Sequence, residues 1–173
     1  MGGTDALASI APVEQVRKAH NATVIKSLKC GVITLDMFVQ TTGIQQPHLV
    51  KIDVEGAECK VLAGGHSVFE HQQQPILFME LVAPWLREFG NTPWDALGYL
   101  QSAGYQHLFM CPEGLVEHHA TQASPYPAEF RMWYNVISYV PGRHAWVRER
   151  LEPFLASKKP KLPPMDPPTL PNE

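Results

Sequence analysis

The sequence predicts an α/β fold in which strands and helices alternate, and three stretches carry this prediction. Residues 49–54 are a short apolar run rich in β-branched side chains, which is typical of a strand buried on both faces of a parallel sheet. Residues 57–62 are good helix formers, and the Gly64-Gly65 pair supplies a stop signal. Residues 76–82 form a second apolar run. A strand, a helix and a strand in this order predict a right-handed parallel unit.

The elements before this unit are more weakly patterned. Residues 12–19 predict a short helix with a proline in its first turn. Residues 23–30 alternate loosely between apolar and polar side chains, as a half-buried strand does. Residues 35–40 begin a short helix, and Gly43 marks its end.

The elements after the unit continue the alternation. A helix begins at Pro93, directly after a threonine cap, and stops at Gly104. Residues 105–111 predict a third strand, and residues 112–129 a long loop with three prolines. Residues 131–140 are a longer β-rich run after that loop. We therefore expect the last strand to be antiparallel to the others.

The chain divides into four segments by composition. Residues 1–22 are a weakly ordered lead or short helix, and residues 23–142 form the α/β region. Residues 143–159 predict an amphipathic helix. Residues 160–173 are a Pro-rich, flexible tail. The amphipathic helix would carry four apolar side chains on one side, those of Val147, Leu151, Phe154 and Leu155.

Composition excludes several classes of protein. The length of 173 residues suits one domain, and 45% hydrophobic residues suffice for a core. A net charge of −3 gives no basic footprint for nucleic acid, and no apolar run reaches the ~20 residues of a membrane helix. Residues 1–5 have neither a basic region nor an apolar core, so we expect no secretion signal. Three widely spaced cysteines without a CxxC motif predict reduced thiols in the cytoplasm and no metal site.

Acidic side chains gather where the two predicted parallel strands end. Asp53 and Glu55 end the first apolar run, and Glu80 lies near the end of the second. Glu58 falls in the first turn of the following helix, where a carboxylate favours the helix dipole. Ligands of open α/β sheets bind at the carboxyl ends of the strands. The sequence therefore predicts a binding site at this edge.

The central stretch also resembles a known family, the FkbM-type methyltransferases. The resemblance lies in the run Val50-Lys51-Ile52-Asp53-Val54-Glu55-Gly56-Ala57-Glu58 followed by Val61-Leu62 and Gly64. Two flanking pieces match at the right spacing: Ile33-Thr34-Leu35-Asp36 upstream and Pro75-Ile76-Leu77-Phe78-Met79-Glu80-Leu81 downstream. The resemblance covers roughly residues 32–140 and implies the C-terminal half of a Rossmann-like methyltransferase sheet.

This resemblance implies a chemistry and a role for each acid. Such enzymes transfer a methyl group from S-adenosylmethionine (SAM), mostly to a hydroxyl, here on a small molecule or glycan. Asp53 would lie beside the methyl donor, and Asp53, Glu55 and Glu80 are the candidate catalytic residues. Glu55, Glu58 and Lys51 would bind the acceptor. The alternatives are structural: Glu55 and Glu58 merely favour a helix N-terminus while Asp53 orders the turn, and Lys51 pairs with Asp53 on the same strand face or snorkels to the edge.

The family's glycine-rich SAM turn has no counterpart in the sequence. The tight glycine pairs are Gly2-Gly3, with no strand before it, and Gly64-Gly65, at a helix end. We therefore expect a fragment or split product of a longer enzyme, or a remnant that has lost the usual SAM site. On its own this chain is expected to bind SAM weakly or not at all. It is also expected to self-associate through an open sheet edge.

Two other readings are open. Asp53-x-Glu55 after an apolar strand also resembles the first motif of the DEDD exonucleases, and residues 91–95 faintly resemble their second. That two-metal chemistry needs further carboxylates, yet the only aspartate beyond Asp95 is Asp166 in the tail. Alternatively the chain is a non-catalytic interaction protein. The pattern Lys161-x-x-Pro164-x-x-Pro167 fits a polyproline ligand of SH3-type grooves.

Overall fold

The fold is a five-stranded mixed sheet with helices packed against it, seen in a computed structural model. The structure describes residues 28–70, 74–112, 114–118 and 133–155. The strands lie side by side in the order β1-β2-β5-β3-β4. Their bounds are β1 Leu49–Ile52, β2 Ile76–Val82, β3 Gln106–Cys111, β4 Gly114–His118 and β5 Trp133–Tyr139.

The predicted pairing of the central strands is confirmed. β1 and β2 are adjacent and parallel, with Ile52 opposite Met79. β5 runs antiparallel to β2 on its other side and antiparallel to β3 beyond it. Because β5 opposes both neighbours, β2 and β3 point the same way. The carboxyl ends of β1 and β2 therefore meet at one edge of the sheet.

Six helices and one 3-10 turn accompany the strands in the part of the chain that the structure describes, and four of the helices lie between strands in the chain. Two of the six helices have well-defined ends. The hydroxyl of Thr34 accepts the amide N–H of Met37 at the start of α1, and Gly43 ends α1 with a φ of 65°. The Asp95 carboxylate accepts the Thr92 amide at 2.7 Å at the start of α5. The helices are α1 Leu35–Thr42, α2 Glu58–Ala63, α3 His66–Phe69, α4 Ala83–Glu88, α5 Pro93–Ser102 and α6 Ala145–Leu151, followed by the 3-10 turn Glu152–Phe154.

The main core lies between the central strands and the helices. Alternate side chains of β2 face inward and are fully buried, as are neighbours from β5 and α5. A second, smaller cluster joins α6 to β3 and β4. The first cluster includes Leu77, Met79, Leu81, Leu97, Leu100 and Val136, and the second consists of Leu108, Leu115, Tyr139 and Val147. No helix in the described ranges is long and apolar enough to cross a membrane.

The prediction that the first apolar run is buried on both faces is wrong. β1 is the edge strand of the described sheet, Leu49 is 63% exposed, and the neighbouring Lys51 is exposed. The apolar composition of residues 49–54 could not show that, among the described residues, β1 pairs with β2 alone. Self-association through this edge stays a prediction, which sedimentation over a range of concentrations would test.

Three further elements differ from the predictions. Part of the predicted loop 112–129 is the strand β4, which forms a hairpin with β3 through the pairing of Cys111 with Gly114. The short helix α4 had no signal beyond its proline. Phe154, predicted on the apolar side of the helix with Val147, is 63% exposed and lies outside the core. The α-helix ends at Leu151, and the 3-10 turn that follows changes the direction of the chain.

Several predictions fall on residues that the structure does not describe. They are the lead 1–22, the strand over residues 23–27, most of the predicted loop beyond residue 118, and the Pro-rich tail. Residues 28–30, which complete the predicted strand, are in no regular element. The division into four segments stays a prediction.

Candidate active site

Two acids meet at the shared edge of β1 and β2. The register that sets Ile52 against Met79 brings the following residues, Asp53 and Glu80, alongside each other. Glu80 is close enough to hydrogen-bond Asp53, and this contact helps to lower the pKa of the Asp53 carboxyl. The parallel pairing thus joins two of the predicted site residues that are distant in sequence.

Lys51 is tied to the same cluster through an ion pair. Its Nζ lies 2.7 Å from Oδ2 of Asp53, as the alternation of the strand predicts. The hydrogen bond from Lys51 is the main cause that lowers the pKa of Asp53, and the same bond raises the pKa of Lys51. Asp53 therefore stays ionised at neutral pH, with its charge held in place by the ammonium group.

Glu55 has an unusual backbone and an unusual carboxyl. Its φ is +55°, in the left-handed region that costs a residue with a Cβ roughly 1–2 kcal/mol. Burial raises the pKa of Glu55 to about 7, and the charges of Asp53, Glu80 and Glu58 add to the effect. Its Oε2 is shielded from solvent without a hydrogen-bond partner. Strain and a pKa near neutrality in one residue are typical of functional sites.

Glu58 lies beneath this turn and not on the surface. The residue is 2% exposed, and its Oε1 accepts the amide N–H groups of Gly56 at 3.2 Å and Val54 at 3.4 Å. Burial raises the pKa of the Glu58 carboxyl, while the backbone N–H groups oppose that rise. Oε2 is buried and has no hydrogen-bond partner. The hydrogen bonds of the Glu58 carboxyl are to backbone N–H groups, its own and those of Gly56 and Val54 on either side of Glu55.

Gly56 fits the turn against α4. Its φ is +97°, and a Cβ built there would lie 2.5 Å from the carbonyl oxygen of Trp85. The backbone of α4 at Trp85 therefore packs directly against Gly56. The sequence did not reveal this contact. A glycine following an acid at a strand end was the one available signal of a tight turn.

Comparison with known proteins identifies the family. A family model described as the methyltransferase FkbM domain matches residues 4–107, well over half of the chain. The chain belongs to the FkbM methyltransferase family. No curated protein and no solved structure matches it.

The family match and the resemblance noted in the sequence have different bounds. The FkbM match begins earlier, at residue 4, and ends at His107 in β3, whereas the resemblance extended over roughly residues 32–140. The FkbM domain thus includes β1, β2 and all the acids of the site. β4, β5 and α6 follow the matched segment.

The acids of the FkbM site do not form a recognisable metal centre. Within residues 28–70, 74–112, 114–118 and 133–155, no group of three or more His, Cys, Asp or Glu side chains is placed to hold a metal ion. The nuclease alternative needs such a centre and gains no support. His118 ends β4 and pairs with His107 of β3, while the following His119, which could be considered as a metal ligand, lies outside the described residues.

The ion pair of the site should contribute little to stability. We expect Asp53→Asn to lower the free energy of unfolding only slightly at pH 7, because both side chains are substantially exposed and screened by salt. The lowered pKa of Asp53 means that its contribution exists above the ordinary value of 3.8 and is lost as the pH falls through the native value. Urea denaturation at pH 7 and pH 2 tests this. A large loss at pH 7 would contradict it.

Proposed function

We propose that this FkbM family member is a SAM-dependent methyltransferase that methylates a hydroxyl group, with Glu55 as the base. One observation carries the proposal. The carboxyl of Glu55, whose pKa burial raises to about 7, lies at the carboxyl ends of two parallel strands in a methyltransferase family member. The order β1-β2-β5 with an antiparallel β5 also supports a Rossmann-like sheet.

A hydroxyl acceptor must lose its proton as it is methylated, and Glu55 suits that task. A general base works best when its pKa lies near the operating pH. An ordinary glutamate is fully ionised at pH 7 and is a weak base there. Glu55, with a pKa of about 7, is a stronger base that is still ionised in about half of the molecules at that pH. The residue is half-buried, which desolvates the carboxyl while part of the residue stays open to solvent.

Asp53 has the complementary character of a fixed anion. Its lowered pKa keeps it charged, and Lys51 holds it in one position. When bound, SAM supplies an electrophilic methyl group on a positively charged sulfonium. An ionised carboxylate fits that charge, so Asp53 is the residue proposed to hold the donor. Neighbouring carboxyls with pKa values pushed apart in this way divide anion and base roles between them.

The charge of the site favours a neutral acceptor. Four acids and one lysine lie together at the strand ends, so a phosphorylated or carboxylated acceptor would meet like charge. A glycan or small polyol carries hydroxyls without that penalty, and Glu80, whose carboxyl also contacts Asp53, is proposed to face one of them. Lys51 and Glu58 already have protein partners. The acceptor contacts predicted for them stay predictions.

The test is methyl transfer by the purified protein. Tritiated SAM is used at millimolar concentration, so that turnover is detected even if SAM binds weakly. The acceptors are a panel of neutral glycans and polyols and their phosphorylated counterparts. We expect label in the neutral acceptors only. Calorimetry with SAM tests the expectation from the sequence that this chain binds SAM weakly or not at all. Absence of both binding and transfer would reject the function for this chain.

Asp53→Asn gives the matched variant for this assay. We expect turnover to fall at least about tenfold, because a fixed charge beside the donor is lost while the side-chain volume is kept. The free energy of unfolding should change much less. Asp95→Asn, in the cap of α5, is a control that removes one aspartate charge away from the strand ends. Equal turnover of Asp53→Asn and the unmutated protein would remove Asp53 from the mechanism.

A further inference from the structure

We propose that Glu58 is a positioning residue that holds Glu55 in its left-handed conformation and so presents the base at the strand ends. This inference rests on the proposed function of Glu55. It assigns Glu58 a task toward the protein's own backbone in place of a contact with the acceptor.

The hydrogen bonds of Glu58 bracket Glu55. One oxygen, Oε1, accepts the N–H groups of Val54 and Gly56, which lie on either side of Glu55 in the chain. The N–H of Gly56 belongs to the peptide unit that follows Glu55, so fixing it restricts the ψ of Glu55. The N–H of Val54 belongs to the peptide unit that precedes Val54, so bonding both amides to one oxygen constrains the backbone torsions between them, including the φ of +55° that the Cβ of Glu55 disfavours.

A purely stabilising role explains Glu58 poorly. A glutamate that serves only the helix dipole is best left in water, but Glu58 is 2% exposed and α2 has only six residues. Burying a carboxyl with one oxygen, Oε2, that has no partner costs stability. Such a cost is understandable where the group arranges a strained turn that the chemistry needs.

The turn is held from two sides, which makes the role of Glu58 separable. α4 contacts Gly56 through the backbone of Trp85, and Glu58 contacts the amides from below. The groups that face Glu55 are Asp53, Glu80 and Glu58. Among the causes of the raised pKa of Glu55, burial comes first and the charge of Glu58 last. Displacing Glu55 should therefore change its pKa more than neutralising Glu58 in place.

The experiment compares Glu58→Gln with Glu58→Ala by NMR, without needing an acceptor. The Gln carbonyl still accepts the two N–H groups, whereas Ala removes both bonds. In Glu58→Ala we expect hydrogen exchange of the Val54 and Gly56 amides to rise about tenfold. The pKa of Glu55 should fall from about 7 towards its ordinary 4.5. In Glu58→Gln both should stay close to the unmutated values. Glu149→Gln, on the exposed side of α6, controls for loss of charge.

The outcomes separate this inference from the proposed function. Unchanged amide exchange and an unchanged Glu55 pKa in Glu58→Ala would overturn the positioning role, as would a Gln variant that behaves like Ala. If Glu58→Ala fails to fold, Glu58→Asp replaces it, since its side chain is one methylene too short to reach both amides. Expected NMR results without any methyl transfer would leave the positioning role intact and reject the proposed function. Methyl transfer by the unmutated protein, without the expected NMR changes in Glu58→Ala, would support the proposed function and reject the positioning role.

Discussion

Replacing Glu55 by glutamine is expected to lower the rate of methyl transfer by about 10²–10⁴-fold, which is the usual contribution of a positioned base. Glutamine keeps the shape of the side chain and cannot take up the acceptor's proton. In the unmutated protein the rate should rise with pH through about 7, as Glu55 loses its proton. The variant should lose that rise. Turnover with a neutral acceptor across pH 5 to pH 9 (about two units on either side of 7) measures both effects.

Although Glu55→Gln should lower the rate of methyl transfer, it should not lower the free energy of unfolding at high pH. The native state holds the Glu55 proton more tightly than the unfolded chain, because burial raises the pKa from 4.5 to about 7. This stabilisation is complete below pH 4.5 and is lost as the pH rises through about 7. Above that pH, Glu55→Gln should be at least as stable as the unmutated protein. An inactive variant that is also strongly destabilised would indicate a structural role for Glu55 instead.

A suitable control is Glu152→Gln. Glu152 is an exposed acid in the 3-10 turn after α6, in an element that contributes nothing to the strand ends described above. It should leave both the rate and its pH dependence unchanged. If Glu55→Gln matched this control in rate, another group would have to be the base.

Substituting Gly56 by alanine is expected to cost at least about 3 kcal/mol of stability, among the largest effects of any single change in this chain. The added Cβ would lie 2.5 Å from the Trp85 carbonyl oxygen and 2.6 Å from its carbon, both backbone atoms that cannot rotate away. The φ of +97° adds a conformational penalty for any residue with a Cβ. Urea denaturation measures the free energy of unfolding.

Gly104→Ala separates the two causes. Gly104 has a similar φ of +91°, but a Cβ there meets nothing within 4 Å. We expect this control to cost only the conformational penalty, about 1 kcal/mol. The difference between the two variants is then the steric contribution of α4. Equal losses in both would show that the backbone of Trp85 yields at little cost.

The sequence predicted those parts of the fold that depend on local pattern. The apolar runs of β1 and β2, their parallel pairing and the antiparallel β5 follow from composition and order. What it could not show depends on position in the sheet. The exposure of Leu49 reflects the place of β1 at the edge, and the strand β4 needs β3 as a partner.

The candidate site was predictable in its members and not in its geometry. Acids at strand ends identified Asp53, Glu55, Glu58 and Glu80 as one cluster, and the period of a strand predicted the pairing of Lys51 with Asp53. The left-handed backbone of Glu55 and the burial of Glu58 arise from contacts within one turn and with α4. Such contacts join residues that no periodic pattern relates.

The place of β1 at the edge of the described sheet has a mechanical consequence for the site. Glu80 belongs to β2, which is hydrogen-bonded on both sides, to β1 and to β5. Asp53 follows β1, which within the described ranges is hydrogen-bonded on one side only. The backbone that carries Glu80 is therefore more rigid than the backbone that carries Asp53. Thermal motion should therefore alter the separation of Asp53 and Glu80 mainly through displacements of Asp53, and the tether to Lys51 limits how far it travels.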